Sequence, residues 1–382
     1  MALSRVSFSD QIRTEARRLG FDAVGITHAN RLDRDFPRYE AFIDAGMHGE
    51  MGWLARHRDV RERIDNNGIL AGAKSVICVA RRYGTPEQGG GGGDSATRTT
   101  STIARYARGR DYHGFMRRRL RRLAAFVRAL GTVDQPVRAR PLCDEEPVLE
   151  RAWAVRAGLG FIGKNGMLIV PGLGSMVLLG EVVTTLDLVS PVSLEGTRGL
   201  DDSGRRACAP ALWQERCGAC TRCLDACPTD AFASPFVLDA RRCVSYLTIE
   251  LRGAIASELR QGVGTHLFGC DDCQTVCPFN AGTGALAPLE ATDGDPFAPL
   301  ERWSHMSLES LLGLDEASWS ALFRGTPLRR TGRSGIARNA AIVLGNRRDR
   351  AALPALRAAA SGHDDPVVRE AASWAIALIE GR

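Results

Sequence analysis

The chain has 382 residues, 44% hydrophobic and 25% charged, with 50 Lys plus Arg against 44 Asp plus Glu for a net charge of +6. That balance fits a folded protein of two or three domains and excludes a chain that is disordered throughout. No run of 18 apolar residues occurs, and Arg17-Arg18 is followed by Leu-Gly-Phe-Asp22 rather than an apolar stretch, so the expectation is a cytoplasmic protein with neither a membrane span nor an export signal.

In chain order, Phe8–Gly20 reads as an amphipathic helix with Ile12, Ala16 and Leu19 on one face and Ser7 as its cap. Phe21–Ile26 is a short strand, Tyr39–Gly46 a helix, and Ser75–Ala80 a buried strand by its continuous apolar run. Gly89–Gly93 is a flexible insert, because it fits neither a phosphate-cradling P-loop nor a dinucleotide fingerprint. Arg98 to Arg122 holds nine Arg and one acid, Asp111. Such a run is either a solvated face or a polyanion contact. Gly114–Leu130 within it is a basic helix with Leu120, Leu123, Ala124 and Val127 inward. Pro147–Ala157 is a helix opening on proline, whose missing N–H costs nothing in a first turn. Met167–Val170 and Ser175–Val183 are strand-like. Strands alternating with helices make residues 1–205 an α/β or α+β domain.

Residues 206–290 carry the cysteines. Of eleven, eight lie at 217, 220, 223, 227, 243, 270, 273 and 277. Without an export signal, metal or cluster ligation explains them better than disulfides. Cys217-Gly-Ala-Cys220-Thr-Arg-Cys223-Leu-Asp-Ala-Cys227-Pro228 is the C-x2-C-x2-C-x3-C-P run of a bacterial two-cluster ferredoxin, whose fourth thiolate ligates the other cluster. Zinc sites use separated pairs instead. The second half, Cys270-Asp-Asp-Cys273-Gln-Thr-Val-Cys277-Pro278, has Leu267 where its first cysteine should stand. Cross-ligation then assigns Cys217, Cys220, Cys223 and Cys277 to one [4Fe–4S] cluster. The other takes Cys227, Cys270, Cys273 and, by elimination, Cys243. Cys78, Cys143 and Cys208 remain as structural thiols.

Residues 291–382 are a helical C-terminal domain. Ile336–Leu344 and Val367–Ile376 repeat a V/I-x-R-x-A-A pattern at a spacing of 31, with Ala351–Ala360 between them. This reads as HEAT-like helical repeats or as a simple helical cap. From Arg324 onward eleven Arg face five acids, a surplus of six that equals the whole chain's. That surplus favours a nucleic-acid face.

Several blocks together resemble the epoxyqueuosine reductase family: His48-Gly-Glu-Met51, Arg105-Tyr-Ala-Arg-Gly-Arg-Asp-Tyr-His113, Pro147-Val-Leu-Glu-Arg-Ala-Trp153, Ala157-Gly-Leu-Gly-Phe-Ile-Gly-Lys-Asn165, Cys243-Val-Ser-Tyr-Leu-Thr-Ile-Glu250, Gly269 to Asn280 and Arg338-Asn-Ala340. They run in order over nearly the whole chain. The resemblance implies a monomeric, cytoplasmic enzyme with cobalamin in the first domain and two [4Fe–4S] clusters. It would be fed by an outside donor such as a flavodoxin or ferredoxin, and would remove the epoxide oxygen from epoxyqueuosine at the tRNA wobble position. By matching flanks it implies Asp144 as proton donor and Arg63, Asp144, Leu168, Leu179, Ser245, Cys270 and Asp271 as cobalamin contacts. Leu251, Arg252 and Ala254 would touch tRNA. The family's small residues after its Asp are Glu145 and Glu146 here, so either could share the role, or the triplet could simply complement a helix dipole. A general acid there needs a raised pKa. No Asp-x-His-x-x-Gly run offers an axial ligand, and His57 and His113 read as structural or phosphate-facing. A reductive dehalogenase, an electron-transfer subunit and a non-catalytic tRNA scaffold are the competing readings.

Overall fold

The computed structural model describes residues 2–66, 68–83, 103–188, 214–281 and 296–381; the glycine insert and Cys208 lie outside them. The N-terminal part contains α1 (Ala2–Arg18), β1 (Ala23–His28), α2 (Phe36–Asp44), α3 (Arg58–Glu62), β2 (Ser75–Arg82), α4 (Tyr112–Ala129), β3 (Ala139–Leu142), α5 (Glu150–Arg156), β4 (Phe161–Ile162), β5 (Leu168–Ile169) and β6 (Val177–Thr184). A four-stranded sheet runs β1-β2-β6-β3 with every neighbouring pair antiparallel.

The period of two along β2 explains the layering. Ile77 and Val79 face α1 and α4, joining Ile12, Ala16, Leu120, Leu123, Ala124 and Val127 in one core. Val76, Cys78 and Ala80 face the other way, toward Trp153 and Ala154 of α5 and Leu168 of β5. Helix α1 begins at Ala2, so Ser7 lies inside it rather than at its cap. Helix α5 begins at Glu150, three residues after Pro147, because Glu146 to Leu149 form a turn in which Val148 N–H donates to the Glu146 carbonyl. Strand β3, with Arg and Pro at its centre, carries no apolar alternation to announce it.

The cysteine-rich part contains α6 (Arg222–Asp225), β7 (Phe232–Ser234), β8 (Val237–Leu238), α7 (Val244–Ile249), α8 (Ser257–Val263) and α9 (Asp272–Thr275). It is followed by α10 (Leu308–Leu311), α11 (Glu316–Phe323), α12 (Gly332–Asn346), α13 (Leu353–Gly362) and α14 (Pro366–Glu380). One apolar core runs from Leu247 and Ile249 of α7 through Ile336–Leu344 of α12 to Ile379 of α14. Within it Arg338, 0% exposed, donates to the carbonyls of Leu247, Leu251 and Gly253. Asn339 donates to those of Thr248 and Leu267. These bonds satisfy carbonyls that the short α7 cannot satisfy itself. Other C-terminal arginines are held in ion pairs at the surface: Arg333 with Glu316 and Asp364, and Arg357 with Glu380.

The first and second parts are joined tightly. Glu50 N–H donates to the Tyr246 hydroxyl at 2.8 Å. A Cβ on the preceding Gly49, which has φ +57°, would lie 2.5 Å from that hydroxyl, so glycine is required there.

Candidate active site

Ten cysteines among the described residues are free thiols. Burial raises Cys223, and the charges of Cys277, Cys217 and Cys220 raise it further. Cys277 is raised by burial and then by Cys217 and Cys220. Cys243 is raised by burial and by Cys227. Cys273 is pushed up to about 12 by burial, then by Cys243, Cys223 and Cys227. These neighbours are compatible with the expected quartets Cys217/220/223/277 and Cys227/243/270/273, with Cys273 facing Cys223 as well as Cys243 and Cys227. Bringing four acidic groups of like charge together makes sense only where a cation cluster neutralises them as thiolates. The donor set therefore fits two iron–sulfur cubanes.

Two consecutive residues of the Gly-Lys-Asn block hold these loops against the first domain. Lys164 Nζ donates to the carbonyls of Gly218 and Cys220 at 2.7 and 3.0 Å. Asn165 donates to that of Cys273 at 3.3 Å. Arg105 N–H donates to Asp271 Oδ2 at 2.7 Å, and the Ser245 hydroxyl accepts from Cys270 N–H at 3.1 Å.

Asp144 follows β3 on the turn and has φ 63°, a strained value for a non-glycine residue. Its carboxylate is 44% exposed, accepts from the Tyr112 hydroxyl at 2.7 Å, and lies 3.1 Å from His113 Nε2. The other ring nitrogen, Nδ1, lies 2.6 Å from Asp111 Oδ1. Asp111 also caps α4 by accepting from His113 N–H, which fixes the ring at the start of that helix. The bond to Asp111, then that to Asp144, push His113 up to about 9 against the effect of burial. For Asp144 burial acts upward, but the bonds from His113 and Tyr112 and the charge of Arg330 outweigh it and hold the carboxyl below its ordinary value. The raised pKa expected of Asp144 is absent; the resting proton sits on His113, which the sequence had placed among structural or phosphate-facing residues. The signal for it was the Asp111-x-His113 cap at the head of a helix.

The other acids of the triplet point elsewhere. Glu145 pairs with Arg117, and Glu146 Oε2 accepts from Cys143 N–H at 3.1 Å. Behind them lie two further carboxyls. Glu150 Oε1 accepts from Asp144 N–H at 2.9 Å, and burial, then the Asp144 charge, push it up to about 7. Glu181, 0% exposed on β6, is raised by burial and then by Glu150.

Strand β6 is central, yet Val177, Leu178 and Leu179 are only half-buried while Gly180–Thr184 are buried. The paired register of β3 with β6 ends at Leu142↔Glu181, two residues before Asp144. The half-buried residues of β6 lie just beyond that pair, and Leu179 packs against the core that buries Leu168. A flat, largely apolar macrocycle fits such a surface. The remaining candidates are spread more widely. Arg63 pairs with Asp65 and is solvent-facing. Leu251 packs on the core and Ala254 is exposed. Arg252 directs its guanidinium at the carbonyls of Thr331 and Arg330, both at 2.7 Å, which leaves it little capacity for a phosphate. Tyr106 joins the two halves of the site, since the charges of both Asp144 and Asp271 act on its hydroxyl.

Among known proteins, residues 216–280 match the model of a 4Fe-4S double cluster binding domain, and residues 63–144 match that described as epoxyqueuosine reductase QueG, DUF1730. A Xanthomonas campestris protein named epoxyqueuosine reductase is 38% identical over 368 residues, covering 96% of this chain and 95% of its own. A crystal structure of epoxyqueuosine reductase with an epoxyqueuosine-modified tRNA-Tyr stem loop superposes with a TM-score of 0.80 at 29% identity, over 98% of this chain and 91% of that one. A Bacillus subtilis epoxyqueuosine reductase, caught with its aspartate catalytic loop swung out of the active site, superposes at 0.79, with 29% identity and the same coverage.

Proposed function

This chain belongs to the epoxyqueuosine reductase family, and from that membership we propose how its own residues reduce epoxyqueuosine to queuosine in tRNA. The overall change breaks two C–O bonds, forms one C=C bond and releases water, with two electrons and two protons consumed. When bound, the two clusters supply electrons singly and a cobalamin supplies the low-potential metal centre that drives oxygen removal. Cys217, Cys220, Cys223 and Cys277 would hold one cluster, and Cys227, Cys243, Cys270 and Cys273 the other. Leu168, Leu179, Ser245, Cys270, Asp271 and Asp144 would border the corrin, with Arg63 at its periphery.

The observation that carries this reading is the Asp111–His113–Asp144 chain beside Tyr106, across from Asp271. Epoxide oxygen leaves poorly unless a proton reaches it. In the open site that proton rests on His113 Nε2 and Asp144 is a carboxylate. Covering the recess with substrate removes water and penalises a separated charge pair. The proton then crosses the hydrogen bond from Nε2 to Asp144 Oδ2, whose heavy atoms are 3.1 Å apart, leaving two neutral groups. Asp144 gives it to the departing oxygen, and Asp111 draws the next proton onto His113. Tyr112 holds the carboxylate's orientation throughout. A pure electron carrier would have no use for such a chain.

The division at 205 and 290, the repeat character of α12 and α14, a single-subunit enzyme in the cytoplasm and a flavodoxin- or ferredoxin-type donor complete the proposal. The test is direct. The reduced, cluster-loaded protein with cobalamin is incubated with tRNA carrying epoxyqueuosine, and nucleosides are read by mass. Loss of one oxygen mass supports the reading; no change with fully loaded protein overturns it.

A further inference from the structure

Trp53 is the one tryptophan among the described residues that is exposed, at 38%. Trp153, Trp303 and Trp319 are buried in cores, and Trp374 is half-buried. Its backbone is nevertheless fixed, since its carbonyl accepts from Arg61 Nη2 at 3.3 Å. The guanidinium of Arg330 lies over its indole, 5.7 Å from the ring centroid. Arg330 is anchored in turn by Glu250 Oε1 at 2.5 Å. The rim continues through Glu50, whose Oε2 accepts from Arg252 N–H at 2.9 Å. Three distant stretches of chain thus meet to present one aromatic face, and the charge of Arg330 reaches Asp144. The platform therefore lies within electrostatic reach of the proposed acid.

An indole backed by a guanidinium, rigid and open on one side, matches the face of an unstacked nucleobase. Stacking of this kind tolerates any base and is how single-stranded RNA is gripped. We propose that the Trp53–Arg330 pair stacks a loop nucleobase next to the modified nucleotide, holding the strand while the epoxide enters toward Asp144. This rests on the tRNA reductase reading and adds to it the residues that seat the RNA. It also gives the arginine-rich C-terminal part a defined contact, through Arg330.

The experiment measures affinity of the cluster-loaded wild type, Trp53→Ala and Trp53→Phe for an anticodon stem-loop and for a set of the same hairpins with one loop nucleotide made abasic. The expected result is binding weakened roughly five- to hundredfold in Trp53→Ala and largely kept in Trp53→Phe. One abasic position should weaken the wild type while leaving Trp53→Ala unaffected. In turnover, Trp53→Ala should raise KM far more than it lowers kcat. Cluster absorbance equal to the wild type's establishes that both variants fold. Equal affinity of Trp53→Ala and wild type, in a protein that still turns over modified tRNA, overturns the stacking proposal alone. A wild type that neither binds the hairpin nor turns it over overturns the reductase reading with it.

Discussion

His113 Nε2 lies 3.1 Å from Asp144 Oδ2, on the edge of the ring opposite Asp111. The imidazole is therefore held as a cation between two carboxylates, and in the proposed mechanism the proton rests on a group distinct from the one that delivers it.

Replacing His113 with Gln keeps an N–H donor beside the carboxylates but removes the titrating proton. Turnover should fall roughly 10²- to 10⁴-fold at neutral pH, with clusters retained. In the wild type the rate should drop as pH rises through about 9, where His113 deprotonates. The sign for stability is the same. A histidine whose folded pKa is raised stabilises fully below its unfolded value near 6.5 and loses that contribution as pH rises through about 9. A rate that stays level to pH 10 removes His113 from the proton path.

Asp144→Asn should keep both clusters, measured as iron content, while abolishing turnover. Activity surviving in this variant would pass the role to Glu145 or Glu146. The structure opposes that outcome, because Glu145 is committed to Arg117 and Glu146 to the Cys143 amide.

Glu181 sits with both carboxylate oxygens buried and without a hydrogen-bond partner. Its folded pKa is raised, so it stabilises at low pH and costs stability as pH climbs through the folded value. Glu181→Gln should thus gain Tm relative to wild type at pH 8–9 and gain little at pH 5. A Tm difference that does not change between these pH values would mean that Glu181 is ionised throughout.

The helices and the cluster loops were legible because their signals are local. Ile12, Ala16 and Leu19 repeat at helical spacing, and the thiol spacing marks the two cysteine runs. The proton chain was not legible, since Asp111 and His113 lie more than thirty residues before Asp144 and only the packing of α4 against β3 brings them together. The same holds for Arg252 and Arg338. Each reads as a surface cation in sequence, yet each satisfies backbone carbonyls of a neighbouring segment. Strand β3 escaped because pairing, rather than apolar alternation, makes it a strand.

Cys243 stands outside both cysteine runs, and its thiol neighbours Cys227, Cys270 and Cys273. Cys243→Ala should therefore reduce iron from about eight to about four atoms per chain, with the remaining cluster on Cys217, Cys220, Cys223 and Cys277. Iron that stays at about eight would mean that another ligand completes the second cubane. His266, whose Nε2 lies 3.8 Å from Cys270 Sγ, is the nearest alternative, and Cys243→Ala combined with His266→Ala would then separate the two.

The continuous core behind α7 decides what truncation can show. Removing everything after residue 330 takes away Arg338 and Asn339, strands the carbonyls of Leu247, Thr248, Leu251, Gly253 and Leu267, and exposes the face of α7 that follows the proposed cluster ligand Cys243. Each buried carbonyl left without a donor costs on the order of 1–3 kcal/mol. The truncated chain should therefore lose the second cluster, and a loss of tRNA binding in it would say nothing about a basic face. Arg338→Met is the sharper probe, since it removes three of those bonds and leaves the surface charges in place. Its Tm should fall by several degrees, and tRNA affinity measured below that Tm should stay near wild type. A stable Arg338→Met protein with weakened tRNA binding would instead place this buried guanidinium in the RNA contact.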